Sequence, residues 1–167
     1  RMTIKAVLWD LAGVLLYAVD GGSFNSRLAF RLDAPLDEID RILETPQNQL
    51  WDLGEMDDDT FYNFLLDELK QPIEKKAIIE EFVVEDFEIE PELLDYIREL
   101  HRTYTTILVT NFPSHLHEFL KTKWRIDGAF DHIVASCDVK LSKPDPRIYQ
   151  YALNKAGCRA DQAVFID

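Results

Sequence analysis

Hydrophobic and polar positions change their period several times along the chain. Ala6-Val7-Leu8-Trp9 is an unbroken apolar run, too brief for a helix and right for a strand buried on both faces. It stops at Asp10. Gly13 follows three residues on, where a tight turn or a close backbone approach favours a residue without Cβ. From about residue 24 to 86 the period becomes helical. Leu36, Ile39, Ile42 and Leu43 share one helix face. Phe61, Phe64, Leu65 and Leu69 recur at i, i+3, i+4 and i+8, with Asp57, Asp58 and Asp59 just ahead as cap and dipole partners. Ile73, Ala77, Ile78 and Phe82 predict a further helix opened by Pro72.

Beyond residue 88 helices and strands alternate. Glu90-Pro91-Glu92 opens a helix, with proline at its first turn, and Leu93, Leu94, Ile97, Leu100 and His101 line one face. Residues 105–111 form a β-branched, apolar strand that ends in Thr110-Asn111. A helix near 113–124 carries Leu116, Phe119, Leu120 and Trp124 on one side, and 132–136 is a third strand. Lys143-Pro144-Asp145-Pro146 is a stiff loop. The helix after it has Asp145 as N-cap, Pro146 at its first position, Tyr149, Ala152, Leu153 and Ala156 inward, and Gly157 as its stop. Ala163-Val164-Phe165-Ile166 is a fourth strand, followed by Asp167. This alternation predicts an α/β fold with a parallel sheet and right-handed crossovers. The early helical block is too long for a crossover and reads as a lid over the carboxyl ends of the strands. The expected division is a core of 1–16 and 88–167 with a helical cap of 17–87.

Charge narrows the function. The 167 residues hold 18 Lys+Arg against 31 Asp+Glu, a net charge of −13. That balance argues against nucleic-acid and anionic-membrane partners, whose phosphates require a basic face. A small phosphorylated substrate stays open, because a local pocket can differ in sign from the whole. The acidity peaks from Glu55 to Asp95, with 15 Asp/Glu against 3 Lys/Arg, and is read as a solvated helix surface. Cys137 and Cys158 lack the spacing of a disulfide framework or a four-cysteine zinc site, so reduced thiols and a cytoplasmic location are expected. The apolar N-terminal run is broken by Asp10 and falls far short of the ~20 residues of a membrane span.

Asp10, Thr110-Asn111, Lys143 and Asp167 all fall where strands end or helices begin, the edge at which open parallel sheets place ligands. Two carboxylates suit Mg²⁺, a hard cation that prefers oxygen donors. A lysine and a hydroxyl suit a phosphoryl group or an aspartyl intermediate, since phosphoryl transfer demands positioning and charge neutralisation. Taken in order, Asp10-Leu11-Ala12-Gly13-Val14, Val109-Thr110-Asn111, Lys143-Pro144-Asp145-Pro146-Arg147-Ile148-Tyr149 and Val164-Phe165-Ile166-Asp167 resemble the four motifs of the haloacid dehalogenase-like hydrolases. The resemblance spans the chain. It implies a Rossmann-like core, a helical cap after the first strand, and Mg²⁺-dependent hydrolysis of a small phosphorylated metabolite. Gly54-Glu55-Met56 with Phe61-Tyr62, and Pro146-Arg147-Ile148-Tyr149-Gln150, look like the sugar-phosphate phosphatase branch that includes α-D-glucose-1-phosphate phosphatase.

The same resemblance implies the roles. Asp10 is the expected nucleophile and a metal ligand, and the Ala12 backbone carbonyl and Asp167 complete the metal side. Thr110, with Asn111 nearby, is expected to meet the phosphoryl oxygens, and Lys143 to neutralise both nucleophile and phosphoryl group. Two departures stand out. Many phosphatases of the superfamily carry an aspartate two residues after the nucleophile as general acid and base. Here that position is Ala12, which moves no proton, and such help is typically worth ~10²–10⁴-fold. The fourth motif usually continues with another acidic residue, and the sequence stops at Asp167, before that position. Two other activities stay open. A 2-haloacid dehalogenase needs no leaving-group proton but needs an arginine for the substrate carboxylate, with Arg27 and Arg31 as candidates. A non-catalytic phosphate- or partner-binding protein would tolerate both departures. His115 and His117, at i and i+2, are not expected to form a metal pair.

Overall fold

The computed structural model describes residues 3–167. Its centre is a four-stranded parallel sheet of β1 (Ala6–Trp9), β4 (Thr105–Thr110), β5 (His132–Ala135) and β6 (Ala163–Ile166), in the order β5-β4-β1-β6. These are the four strands the apolar runs predict. Every residue of β1 is buried, and alternate side chains serve opposite faces. Ala6 and Leu8 pack with Ile107, Val109 and Val134 against Ile148 and Ala152. Val7 and Trp9 join the larger core on the other face, which runs on through Leu28, Ile39, Phe61 and Phe82.

Two short strands have no counterpart in the sequence pattern. β2 (Leu16–Ala18) pairs antiparallel with β3 (Phe87–Ile89). At three residues each, neither is long enough to show a period. Between them in sequence lie five helices: α1 (Phe24–Leu32), α2 (Leu36–Leu43), α3 (Pro46–Asp52), α4 (Asp58–Glu68) and α5 (Lys76–Glu85). α1 packs on α2 and α5, and α4 on α3 and α5. The Asp57 side chain caps α4 by accepting from the Thr60 N–H at 2.7 Å. The expected helix from Pro72 is instead a 3₁₀ turn, Ile73–Lys75, followed by α5. Its buried face is Ile79, Phe82 and Val83, and Ile73 is 54% exposed. The phase differs because the helix begins three residues later than its proline proposes.

The remaining helices are α6 (Pro91–Leu100), α7 (His117–Lys121), α8 (Ser136–Val139) and α9 (Pro146–Ala156). The helix expected over 113–124 is a 3₁₀ turn, Ser114–Leu116, plus the short α7. α9 is capped as its sequence proposes. Asp145 accepts from the Arg147 N–H at 2.9 Å, and Gly157 closes it in the left-handed region at φ 63°, a conformation that costs glycine little. Side-chain hydrogen bonds from α8 and the residue after it tie the helical block to the sheet side. Ser136 Oγ donates to the Asp52 carbonyl at 2.5 Å, and Lys140 Nζ to the Leu53 and Gly54 carbonyls at 2.6 and 3.2 Å. Cys137 and Cys158 are free thiols. Among the described residues no helix is long and apolar enough to cross a membrane.

Candidate active site

Asp10 leaves the sheet at the end of its central strand. The register pairs Trp9 with Leu108 on one side and with Ile166 on the other. Thr110 therefore ends the neighbouring strand one residue beyond the level of Asp10, and Asp167 follows β6 level with it. The Asp10 N–H donates to the Ile166 carbonyl at 2.9 Å. Lys143, from the loop before α9, brings its Nζ to 2.6 Å from Asp10 Oδ1, each side chain 13% exposed. The Leu11 N–H donates to the same oxygen at 2.7 Å. No hydrogen bond among the described residues reaches Oδ2. Burial pushes the Asp10 carboxyl above its usual range, the Lys143 ion pair opposes that, and the Asp167 charge adds to the rise. Lys143 also lies 5.7 Å from the centre of the Phe165 ring.

The sequence grouped Asn111 with the ligand-facing residues, and the structure gives its amide a different occupation. Asn111 Nδ2 donates to the Lys143 carbonyl at 3.0 Å and its Oδ1 accepts from the Lys143 N–H at 2.7 Å. This clamp holds the backbone that carries Lys143. Thr110 is buried, and its hydroxyl makes one long contact, 3.3 Å, to the Asn111 carbonyl.

The segment after Asp10 is a tight loop. The Gly13 N–H donates to the Leu16 carbonyl at 2.8 Å and the Leu16 N–H to the Leu11 carbonyl at 2.8 Å. Gly13 sits at φ +78°, where an L side chain is strained. The two bonds tie Leu11 and Gly13, on either side of Ala12, to Leu16, and no donor among the described residues reaches the Ala12 carbonyl. The Ala12 methyl is exposed.

Beside this edge opens a cleft of about 650 Å³, within the usual range of small-molecule sites. Ala12, Gly13, Thr110 and Asn111 form its floor, and the helical block supplies the opposite wall, including Trp51 and Asp52. Asp10 and Lys143 are outside this lining and adjoin it, Asp10 through Leu11 and Lys143 through its clamp with Asn111. Sequence reading did not single out Asp52, and weighed His115 only as a metal pair with His117. Asp52 ends α3 as an ordinary acidic residue, yet burial pushes its carboxyl up to about 6. Among the described residues its one side-chain partner is Asn48 Nδ2 at 3.4 Å. His115 lines the cleft with Nδ1 on Asp58 Oδ1 at 2.9 Å and Nε2 buried without a partner. Its ring stacks on Trp51, at 5.9 Å and 17°. His117 faces elsewhere, toward Asp138 at 3.1 Å and Cys137 Sγ at 3.5 Å. Arg27 and Arg31 do not reach the cleft wall. Arg27 Nε lies 2.5 Å from the buried Asp86 and its Nη1 2.7 Å from Asp20, and Arg31 pairs with Glu81 and Asp86 at 3.2 and 3.5 Å. Both guanidinium groups are thus held by acidic partners outside the cleft lining.

A parallel sheet with aspartate and lysine paired at its carboxyl edge, roofed by helices, is the architecture of a hydrolase of the haloacid dehalogenase class. The model of the haloacid dehalogenase-like hydrolases matches residues 4–167, and the chain belongs to that family. Among curated proteins it is similar to (S)-2-haloacid dehalogenase 4A of Burkholderia cepacia, 27% identical over 63 residues, a match covering 38% of this chain and 27% of that protein. The fold is that of a HAD-like hydrolase structure from Porphyromonas gingivalis, with a TM-score of 0.77 at 22% identity, covering 100% of this chain and 82% of that one. It is also that of a HAD-family enzyme from Bacteroides thetaiotaomicron in complex with magnesium and inorganic phosphate. There the TM-score is 0.76 at 18% identity, covering 98% and 84% of the two chains.

Proposed function

We propose that this hydrolase is a Mg²⁺-dependent phosphatase of a small phosphorylated metabolite, acting through an aspartyl-phosphate on Asp10. The observation that carries the reading is the Asp10–Lys143 pair, 2.6 Å apart and mostly shielded from water. Asp10 attacks phosphorus, the P–O bond to the leaving alcohol breaks, and water later hydrolyses the acyl phosphate. Lys143 lowers the repulsion between the carboxylate and the incoming phosphoryl oxygens. Thr110 offers a hydroxyl to those oxygens, and Asn111 fixes the loop on which Lys143 rides.

The oxygen donors fit a hard divalent cation: Asp10 with Oδ2 unclaimed, an Ala12 carbonyl without a donor, and Asp167 beside them. Asp10, Ala12 and Asp167 would hold Mg²⁺, which when bound supplies charge neutralisation for the phosphoryl group. The Bacteroides relative crystallised with magnesium and inorganic phosphate supports the assignment.

The dehalogenase similarity raises a second reading. Against it stands the engagement of Arg27 and Arg31 with acidic partners away from the cleft, which leaves a substrate carboxylate without its cation. The two activities separate in one assay. Phosphate release from an aryl phosphate that stops in EDTA is expected. Chloride release from a 2-chloroalkanoate that persists in EDTA would replace the phosphatase with the dehalogenase. Phosphate binding with no turnover across a broad panel would leave the chain a binding protein.

Lys143 gives a sharper test. Lys143→Met removes the main influence that holds the half-buried Asp10 carboxyl down. The acidic limb of the pH–rate profile is expected to move to higher pH, because the nucleophile must be ionised and its protonated form is now favoured. Turnover at neutral pH is expected to fall by about 10²–10³-fold, the scale for loss of one positioned electrostatic group. An unmoved acidic limb would remove Lys143 from the role assigned to it.

A further inference from the structure

We propose that the cleft selects phosphomonoesters whose alcohol carries an aromatic or aliphatic body and an ammonium group, and rejects alcohols that carry a second anion. The proposal rests on the phosphatase reading of Asp10 and extends it to the leaving group.

The wall composition is the starting observation. Among the described residues that line the cleft there is no lysine and no arginine, while Asp40, Glu44 and Asp52 are present. Asp40 is engaged by Asn25 Nδ2 at 2.6 Å. Asp52 has only the long contact to Asn48, and no hydrogen bond among the described residues reaches the Glu44 carboxylate. A substrate carboxylate or second phosphate in this space would lose water and meet like charge, with no cation to compensate.

The second observation is independent of the acidic residues. His115 Nε2 is buried in the cleft wall with no partner. Asp58 accepts at Nδ1, so the ring proton sits there and Nε2 is a bare acceptor. Burial holds the ring below its usual range and keeps it neutral. Nε2 is closed off from solvent beside the cleft, so the ring adds an acceptor and no positive charge to the wall. The third observation is the aromatic lining, with Trp51, Phe87, Phe112 and Trp124 on its walls. Aromatic faces attract cations and cover apolar bodies, the more so when water is excluded. The site is thus bipolar. The Asp10–Lys143 pair adjoins one end of the cleft, next to Leu11 and Asn111, and acceptors with aromatic rings line the rest.

Three aryl phosphates test this, identical except for a two-carbon para arm that ends in ammonium, methyl or carboxylate. The insulating arm keeps the acidity of the three phenols nearly equal, so differences report recognition. With Mg²⁺ present, kcat/KM for the ammonium ester is expected to exceed that for the carboxylate ester by tenfold or more, chiefly in KM. Asp52→Asn combined with Glu44→Gln is expected to bring that ratio at least threefold closer to one. Binding of the three parent phenols, read from Trp51 and Trp124 fluorescence, tests the same selectivity without catalysis. The amine is expected to bind at least tenfold more tightly than the acid. A carboxylate phenol that binds as tightly, or no binding by any of the three, overturns the assignment whatever the turnover. Turnover indifferent to Asp10→Asn, with the binding order intact, overturns the phosphatase reading and leaves the cleft assignment standing.

Discussion

Asp10→Asn is expected to reduce phosphate release by on the order of 10⁴-fold or more, the scale on which loss of a covalent nucleophile acts in other hydrolases. The amide keeps the shape of the carboxylate and can still accept from the Leu11 N–H, so the strand end is retained. It cannot form the acyl phosphate. The effect on folding is expected to be small, because two consequences oppose. Burial raises the Asp10 pKa, so its ionised form is disfavoured by folding, and this cost grows as pH rises from the unfolded toward the folded pKa. Removing the charge relieves that cost. It also leaves the half-buried Lys143 ammonium without its counter-ion, which costs stability. A melting temperature within a few degrees of the wild type, together with lost turnover, separates chemistry from unfolding. Acid-quenched wild-type protein should carry a phosphoryl group on the peptide containing Asp10, and the variant should not. Equal turnover in the two proteins would remove Asp10 from the mechanism.

What the sequence disclosed follows from how locally each feature is encoded. The four strands of the sheet were legible because each is an apolar run ended by a polar residue, and a central parallel strand buried on both faces must be apolar throughout. Asp10, Thr110 and Asp167 lie at these ends, so their gathering at one edge follows from the topology, and Lys143 joins them from the loop before α9. The β2–β3 ribbon was not legible, because its pairing joins Leu16 to Ile89 across the whole helical block. Asn111 shows the limit of motif reading. Its place after a strand marks it as part of the site, while its partner, the Lys143 backbone, lies 32 residues away. Asp52 was passed over, and His115 weighed only as a metal ligand, for a related reason. An aspartate at a helix end and a histidine in a loop acquire their character from burial against Trp51 and the cleft, which no local pattern records. Arg27 and Arg31 run the other way. As cations in the helical block they qualified for substrate binding, and the buried Asp86 that claims both follows 59 and 55 positions later.

Ala12→Asp is expected to raise turnover of alkyl phosphates by about 10²-fold, at the lower end of the range for general acid–base help. Ala12 sits two residues after the nucleophile, its methyl is exposed, and it lines the cleft floor. The hydrogen bonds that shape its loop run between Gly13, Leu16 and Leu11, so a longer side chain at 12 breaks none of them. A carboxyl there would share the cleft with Asp52, beside Asp10 and with no lining lysine or arginine. Like charge favours the protonated form, which is the form a general acid needs when the alcohol leaves. The gain should therefore depend on the leaving group. An alkoxide requires a proton and benefits fully, whereas 4-nitrophenolate departs without one and should gain no more than a few-fold. Across a series of aryl and alkyl esters, the slope of log kcat against leaving-group pKa is expected to flatten in Ala12→Asp. It should stay unchanged in Ala12→Asn, which matches the size and lacks the proton. A gain that is uniform across the series, or shared by the asparagine variant, would assign the effect to loop geometry and would show that the wild-type chain is not limited by the missing acid.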